Sequence, residues 1–445
     1  MKLVNIRKQY LVLLLFVTGF TPVQAQVWTL QQCIDTAQVY NKTLQIGRNN
    51  ISISQQKRKE AIANLIPRIT ANADYKYFTD LPTQLMPASI FGGPAGTFKE
   101  AQFGVQHNIN ANFQLTMPLY NPQLGGAMQS TKIAAELSGM QLQKAEEQIY
   151  FDISNLYYNG QLLLRQLSFI DSNIANTARL FRNMQLLKEQ LMAKGTDVSK
   201  VQLQKEQLET QRESVSSRYD QVMDALKFAM GIPLQQVIKI EQDIKYQINK
   251  PDSYRDAGTP AIDIRLASTQ SRFLQRELTT LKRSKLPSVS LFGTYGKTGF
   301  GYDKQPNDFL KFYPIGFAGI QISYPLFNGT VTQRKIGQKK LEVKNSELQV
   351  QLVTEQNLMQ TNNTKRQLAV AQKSIETSSA QIKLAQTIYE QTFLQQKQGT
   401  ASLTDVLLAD TSLREAQQNY LSVVVDYLKA DLELKKLTNQ LLITN

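Results

Sequence analysis

Two Thr-Asp pairs are the residues of this chain best placed to do chemistry. Thr196-Asp197 and Thr404-Asp405 are each followed by a valine and lie 208 residues apart. Each pair follows a short turn-like segment, so its side chains can cap the helix that begins there. If several copies of the chain bring these carboxylates around one narrow opening, the carboxylates raise one another's pKa and attract cations. The residue types alone leave capping and gating both open.

Residues for catalysis or metal binding are scarce. The chain has one histidine, His107, and one cysteine, Cys33. It has no Gly-rich phosphate loop and no paired carboxylates beside a nucleophile, so we predict that it is not an enzyme and needs neither cofactor nor metal. A single thiol forbids an internal disulfide, and we expect Cys33 to be structural. We expect His107 to lie at the rim of a strand.

The net charge of +14 is spread along the chain. Lys and Arg are interleaved with Glu and Gln over helical stretches such as 335–347, and they are not gathered into a basic block with stacking aromatics. This pattern is typical of solvated helix faces and argues against a nucleic-acid site.

The first 25 residues predict export from the cytoplasm. Lys2, Arg7 and Lys8 precede an apolar stretch from Tyr10 to Phe20, as in a signal peptide cleaved near Ala25. No later stretch approaches the roughly 18 consecutive apolar residues of a membrane helix. We therefore expect a mature protein that is either soluble or spans lipid as a barrel.

The chain contains the same long unit twice. Pro67, the Pro118-Leu119-Tyr120-Asn121 motif and Thr196-Asp197 recur in the same order as Pro287, Pro325-Leu326-Phe327-Asn328 and Thr404-Asp405. Such duplication is typical of an assembly component rather than of a pocket enzyme. We predict a signal peptide at 1–25, a first repeat at 26–233, an equatorial linker at 234–260 and a second repeat at 261–445.

Each repeat has two segments in which polar and apolar residues alternate. In the clearest one, Ile109, Phe113 and Leu115 alternate with Asn110 and Asn112. One face is apolar and the other carries amides, which favours lipid-facing strands over the alternative of a half-buried sheet. Gly- and Pro-rich connections follow, at 79–103 and 297–313. The predicted strands lie at about 68–78, 106–117, 288–297 and 314–324.

The remaining sequence predicts two long helical hairpins, at about 121–230 and 328–439. Apolar residues recur at spacings of three and four along their helices. The turns fall at 191–195 and 399–402. The first turn has Leu191 where the second has Gly399, with a glycine instead at Gly195, so the sequence leaves the geometry of the first turn open.

Four strands cannot close a barrel in lipid, where open edges are not tolerated. The barrel must then be shared between chains. Two chains give about eight strands and a filled interior, whereas three give about 12 and a lumen wide enough for water. The pattern predicts a trimeric duct.

The ordered motifs resemble those of the TolC-type outer-membrane efflux proteins. The resemblance spans the mature chain from Val27 to Leu441. It rests on Leu-Pro before a strand, Pro-Leu-aromatic-Asn, Thr-Asp-Val after each helix turn, and Gly231-Ile232-Pro233 closing the first repeat.

The resemblance implies an architecture and a set of partners. It implies a mixed α and β membrane protein, a homotrimer with a 12-stranded β-barrel in the outer membrane and a long α-helical barrel in the periplasm. The implied function is the outer-membrane duct of a tripartite efflux or type I secretion system. Its partners are a periplasmic adaptor (membrane fusion) protein and an inner-membrane transporter of the RND, ABC or MFS type. The alternative is a structural periplasmic coiled coil or adhesin stalk, and the exported substrate is not determined.

The resemblance also implies roles for the two turns. Asp405 matches an acidic position at the closed periplasmic entrance of family members, and Leu408 replaces a second acid. The expected entrance or gate residues are Thr196, Asp197, Thr404 and Asp405. The expected adaptor contacts at the tips are Leu191, Lys194, Gly195, Gly399, Thr400 and Ala401.

Overall fold

The computed structural model describes residues 27–244, 259–301 and 311–441. The predicted signal peptide at 1–25 and most of the predicted linker therefore lie outside the described residues. The described helices are α1 Leu30–Tyr40, α2 Lys42–Ala63, α3 Pro122–Glu189, α4 Gly195–Met230, α5 Ile262–Arg283, α6 Val331–Lys397 and α7 Leu403–Leu437. The described strands are β1 Val27–Trp28, β2 Arg68–Tyr77, β3 Thr83–Pro87, β4 Phe98–Gln102, β5 His107–Tyr120, β6 Lys239–Ile240, β7 Ser288–Gly301 and β8 Lys311–Ser323.

The chain divides into two compact units, and neither coincides with one sequence repeat. Of the described residues, the helical unit takes 27–49, 140–244, 259–266 and 351–441, and the strand unit takes 50–139, 267–301 and 311–350. Each unit thus takes segments from both copies of the repeat. Among the described residues, no helix has the length and apolar character needed to cross a membrane.

The strand unit is built on an antiparallel four-stranded sheet in the order β2-β5-β7-β8. One row across the sheet joins Ala71, Phe113, Tyr295 and Gly316. Because side chains alternate along a strand, residues in such a row share a face. β8 begins three residues before the start expected from alternation, and β5 continues past Met117 to a bulge between Pro118 and Tyr120.

The opposite face of the sheet carries a chain of polar contacts. The Asn110 amide donates to Asp74 on β2 at 3.1 Å and accepts from the Thr298 hydroxyl on β7 at 3.0 Å. Phe292 interrupts the alternation of β7 on this face, and the structure gives the reason. Its ring lies over Gly319, where an added Cβ would come within 2.9 Å, and packs edge-on against Phe317.

Two short strand pairs lie outside the strands that the sequence predicted. β3 and β4 form a ribbon with Thr83 opposite Gln102, within the expected Gly- and Pro-rich connection. β1 and β6 pair in parallel, with Val27 opposite Lys239, so the predicted linker begins with ordered backbone. β3 and β4 lack the polar and apolar alternation that marks a strand in the sequence, and β1 and β6, with two residues each, are too short to show it.

The helical unit is held by apolar clusters along its helices. One joins Cys33 of α1 to Ile153 and Tyr157 of α3 and to Leu226 and Met230 of α4. α4 ends at Met230 and is followed by Gly231, whose φ of 77° is left-handed. A Cβ added at Gly231 would lie 2.3 Å from the Tyr40 carbonyl oxygen. A side chain cannot fit there, which explains the Gly-Ile-Pro motif at the end of this helix.

Candidate functional site

The turns of the two helical hairpins are anchored to one shared apolar cluster. We call the turn at 190–194 the first turn and the turn at 398–402 the second turn. Val198 and Val406, which follow the two Thr-Asp pairs, are both buried in this cluster. Its other buried members come from all four helices of the hairpins: Leu180, Met184, Val201, Tyr389, Ala409 and Leu413. Burial of the two valines therefore brings both Thr-Asp segments to the same end of the helical unit.

The backbones of the two turns follow the same hydrogen-bond pattern. In the first turn, the Leu191 N–H donates to the Lys188 carbonyl at 2.9 Å and the Met192 N–H donates to the Leu187 carbonyl at 2.8 Å. In the second turn, Gly399 and Thr400 make the equivalent bonds, at 3.0 Å each. Both are Schellman motifs, which require a left-handed residue just after the helix. Leu191 has a φ of 60° and Gly399 a φ of 75°.

This geometry resolves the question that the sequence left open at the first turn. Gly195 does not replace Gly399, because it is the first residue of α4 and is not among the residues with positive φ. Leu191 itself adopts the left-handed conformation, at a cost of roughly 1–2 kcal/mol for a residue with a side chain. Its side chain is 94% exposed and that of Met192 73% exposed, so neither gains from packing within the described chain.

The starts of the two returning helices differ in their caps. At α7, the Ser402 hydroxyl accepts from the Asp405 N–H, and the Asp405 carboxylate accepts from the Ser402 N–H at 2.9 Å. This is a reciprocal capping box. At α4, the equivalent position is Lys194, and no side chain caps the helix. The expectation that Thr196 and Asp197 cap this helix is therefore wrong, because both lie inside its first turn.

The two aspartates also differ in their contacts. The Asp197 carboxylate lies 3.7 Å from the Lys200 ammonium group. Hydrogen bonds from the Ser402 hydroxyl and backbone lower the pKa of Asp405 below its ordinary value. Asp405 is exposed and stays ionised over the physiological pH range, so it combines a capping role with a fixed negative charge near the second turn. Thr196 and Thr404 are exposed beside them.

A buried ion pair lies just beyond the second turn, and sequence reasoning did not assign it. Asp410 is almost fully buried, accepts from the Gln204 amide of α4, and lies 3.1 Å from Arg414. Burial raises the pKa of Asp410, and Arg414 and Gln204 partly offset that rise. Asp410 is thus part of the interior of the helical unit, whereas Leu408 is exposed. The spacing of four residues between Asp410 and Arg414 is visible in the sequence, but their burial and the contact with Gln204 depend on the packing of α4 on α7.

A second buried carboxylate lies elsewhere in the helical unit. Burial, with a contribution from Asp263, raises the pKa of Glu147 to about 7 against the opposing effects of Gln143, Lys436 and Arg265. Its Oε2 has no hydrogen-bond partner among the described atoms. The protonated form is favoured in the fold, so its contribution to stability is full below pH 4.5 and is lost as the pH rises through about 7.

Cys33 and His107, the two side chains that could act in catalysis, are both held in packing contacts. Burial raises the pKa of the Cys33 thiol to about 12, which keeps it protonated and unreactive. His107 Nδ1 lies 2.7 Å from the Tyr75 hydroxyl, and its ring packs against Tyr77 at 5.0 Å. Within the three described ranges, no three His, Cys, Asp or Glu side chains are grouped so that they could hold a metal ion.

The resemblance to the outer-membrane efflux proteins is confirmed by comparison with known proteins. Residues 270–440, most of the second repeat, match the family model described as "Outer membrane efflux protein". No curated protein matches the chain in sequence.

Solved outer-membrane channels share the fold over nearly the whole chain. The outer membrane protein VceC of Vibrio cholerae is 14% identical, with a TM-score of 0.74 over 92% of this chain and 95% of VceC. The Campylobacter jejuni CmeC outer membrane channel is 13% identical, with a TM-score of 0.74 over 92% of this chain and 85% of CmeC. The Neisseria gonorrhoeae MtrE outer membrane channel is 15% identical, with a TM-score of 0.70 over 92% and 88%. The fold is that of this class of channels, which combines long helices with a β domain.

Proposed function

We propose that this protein is the outer-membrane duct of a tripartite efflux or type I secretion system. The four-stranded sheet with one exposed apolar face is the observation that carries the proposal. Phe113 in β5 and Ile320 in β8 lie on that face and are 61% and 63% exposed. Exposed apolar surface of this extent on a sheet marks contact with lipid or with another chain. The family match and the shared channel fold support the same assignment.

The open edges of the sheet support a homotrimer. Among the described strands, β2 and β8 each pair on one side only. Unpaired edges are costly in lipid, and neighbouring copies can satisfy them. Three copies contribute about 12 strands, enough for a water-filled barrel, and their hairpins form the helical barrel in the periplasm. Mass measurement of the detergent-solubilised protein should give a trimer, and a monomer would contradict this architecture.

The two faces of the sheet give a direct test of lipid contact. Phe113 and Asn112 are adjacent in β5, and Asn112 lies on the amide face, 3.5 Å from the Asn72 amide. Phe113→Arg should destabilise the trimer by roughly 2–4 kcal/mol, because a cation would face hydrocarbon near the midplane. Asn112→Arg is the matched control and should be tolerated in water. Equal losses of heat-stable trimer on gels would show that the faces are not separated in this way.

The acidic residues near the turns support a cation-selective periplasmic entrance. We assign Thr196, Asp197, Thr404 and Asp405 to this entrance, where three chains supply six carboxylates. Asp405→Asn should lower cation preference in planar-bilayer conductance, since Asp405 carries an exposed and fully ionised carboxylate. Asp197→Asn is the matched comparison, because Lys200 already offsets its charge. If Asp405→Asn leaves selectivity unchanged, Asp405 serves only to cap α7.

The exposed turns support assembly with a periplasmic adaptor and, through it, an inner-membrane transporter of the RND, ABC or MFS type. The proposed contact residues are Leu191, Lys194, Gly195, Gly399, Thr400 and Ala401. Deletion of the gene should sensitise the source bacterium to exported compounds, and a copy lacking both turns should restore barrel assembly without restoring export. Unchanged export by that copy would contradict the proposed contact between the turns and the adaptor.

A further inference from the structure

The first turn contains two residues that are locally unfavourable where the second turn has favourable ones. Three other α-helix ends in the described chain form the same hydrogen-bonded motif, and their left-handed residues are Gly231, Gly399 and Asn439. These are the residue types that adopt positive φ at least cost. Leu191 is the exception. Lys194 likewise occupies a position where Ser402 forms a cap in the second turn.

Contacts within the described chain do not explain the leucine. Leu191 and Met192 are largely exposed, so packing of their side chains contributes little to the stability of the fold. A Cβ at Gly399 would meet no atom within 4 Å, so the second turn has space for a side chain and does not use it. A strained, exposed, apolar side chain at one turn but not at its duplicate points to a contact outside this chain.

We infer that Leu191 and Met192 form an apolar plug that determines which periplasmic adaptor the first turn accepts. This inference rests on the proposed function, since it takes the adaptor as the partner. The plug projects from the turn, so the adaptor must offer an apolar recess between its helices. Lys194 is exposed beside the plug, and no described residue pairs with its ammonium group, so a carboxylate at the rim of the recess would complement it. The second turn, with glycine, threonine and alanine, fits a flat surface instead.

The test measures binding of a purified soluble adaptor, cloned from the same genome without its membrane anchor, to the full-length channel in nanodiscs. Leu191→Gly preserves the left-handed backbone and removes the side chain. It should weaken binding at least tenfold while slowing amide hydrogen exchange in the turn. Leu191→Asn should behave in the same way, because asparagine also tolerates positive φ. A merely structural role predicts the opposite, namely equal or tighter binding by the more stable turn.

Two controls complete the experiment. Leu203→Ala removes an exposed leucine from the side of α4 and should leave binding unchanged. Gly399→Leu places a leucine on the second turn and should not rescue Leu191→Gly, since the recess faces the first turn. If the wild-type channel binds the adaptor and both Leu191 variants bind equally well, the plug is refuted and the proposed function stands. If the wild-type channel binds no adaptor, the proposed partner fails, and the plug fails with it.

Discussion

The first and second turns have the same backbone conformation but differ in the residues that stabilise it. The helices before them end at Glu189 and Lys397, and those after them begin at Gly195 and Leu403, with the same spacing of 208 residues. The two hydrogen bonds of the Schellman motif are the same in both turns. Glycine and a serine cap stabilise the second turn, whereas the first has leucine and lysine at those positions.

This difference shows that the turn geometry is set mainly by the helices that flank it. Val198 and Val406 are buried in the same cluster, which fixes where each returning helix starts. The hydrogen bonds of the turn then hold even when the left-handed position is a leucine. Residues at the turn can therefore be selected for contacts with a partner. Burial of the shared cluster offsets the conformational free energy that a side chain at positive φ costs.

The largest expected effect comes from weakening the cluster that both turns share. Leu413→Ala removes a buried side chain of α7 and should destabilise the helical unit by about 2–4 kcal/mol. Because the cluster joins both hairpins, hydrogen exchange should accelerate in the first turn as well as the second. Leu408→Ala, at an exposed site of the same helix, is the control. Faster exchange confined to the second turn would show that the turns are stabilised separately.

The buried ion pair gives the second hairpin a pH dependence that the first should lack. Position 202 matches Asp410, and there Gln202 donates to exposed Glu206 at 3.0 Å. The pKa of Asp410 is raised above its ordinary value of 3.8 in the folded chain. The stability that Asp410 contributes is therefore fully present below pH 3.8 and is lost as the pH rises through the folded-state pKa. Asp410→Asn should remove this pH dependence from thermal unfolding curves. An unchanged pH profile would exclude Asp410 as its source.

Removing Arg414, the partner of the Asp410 carboxylate, should destabilise the protein more than the matching change in the first hairpin. Arg414→Met leaves Asp410 buried without its cation and should cost about 2–3 kcal/mol. This is below the usual range for a buried pair because 27% of the Arg414 side chain is exposed. Glu206→Met at the matching position should cost less than about 0.5 kcal/mol. Similar losses in urea unfolding would mean that burial of the pair contributes little.

A smaller effect should follow from exchanging the left-handed residues. Leu191→Gly should stabilise the first turn by about 1 kcal/mol, and Gly399→Leu should destabilise the second by roughly 1–2 kcal/mol. The reason is the same in both cases, namely the cost of a side chain at positive φ. Exchange rates of the amides in each turn report these changes locally. Opposite signs would show that Leu191 packs against something in the folded protein.

The smallest expected effect comes from exchanging the caps. Lys194→Ser should create a capping box with Asp197 and stabilise α4 by about 0.5–1 kcal/mol, whereas Ser402→Ala should destabilise α7 by about 1 kcal/mol. Hydrogen exchange in the first helical turns measures both. If Lys194→Ser has no effect, the ion pair between Asp197 and Lys200 holds the carboxylate away from the new cap.

The sequence by itself predicted the class of the protein, its four long strands and its helical hairpins. The ordered and duplicated motifs were enough for the resemblance that the comparisons confirm, because each marks a strand start or helix turn that recurs in the same order in the second repeat. The alternation around Asn110 and Phe113 lies on β5, since a strand that separates a wet face from an apolar one must repeat every two residues. The same pattern could not predict β3 and β4, which do not alternate, or β1 and β6, which are too short to show a period.

The tertiary structure decided the details of the turns and the buried charges. Leu191 adopts a left-handed φ because the helices and the shared cluster impose it, and no local preference of leucine predicts that. Asp410 is buried whereas Asp405 is exposed, and the burial of Asp410 depends on α4 packing over α7. Periodicity and motifs are local properties of a chain. The strain at Leu191 and the burial of Asp410 depend on contacts between residues about 200 positions apart, such as Gln204 and Asp410, so only the folded chain could show them.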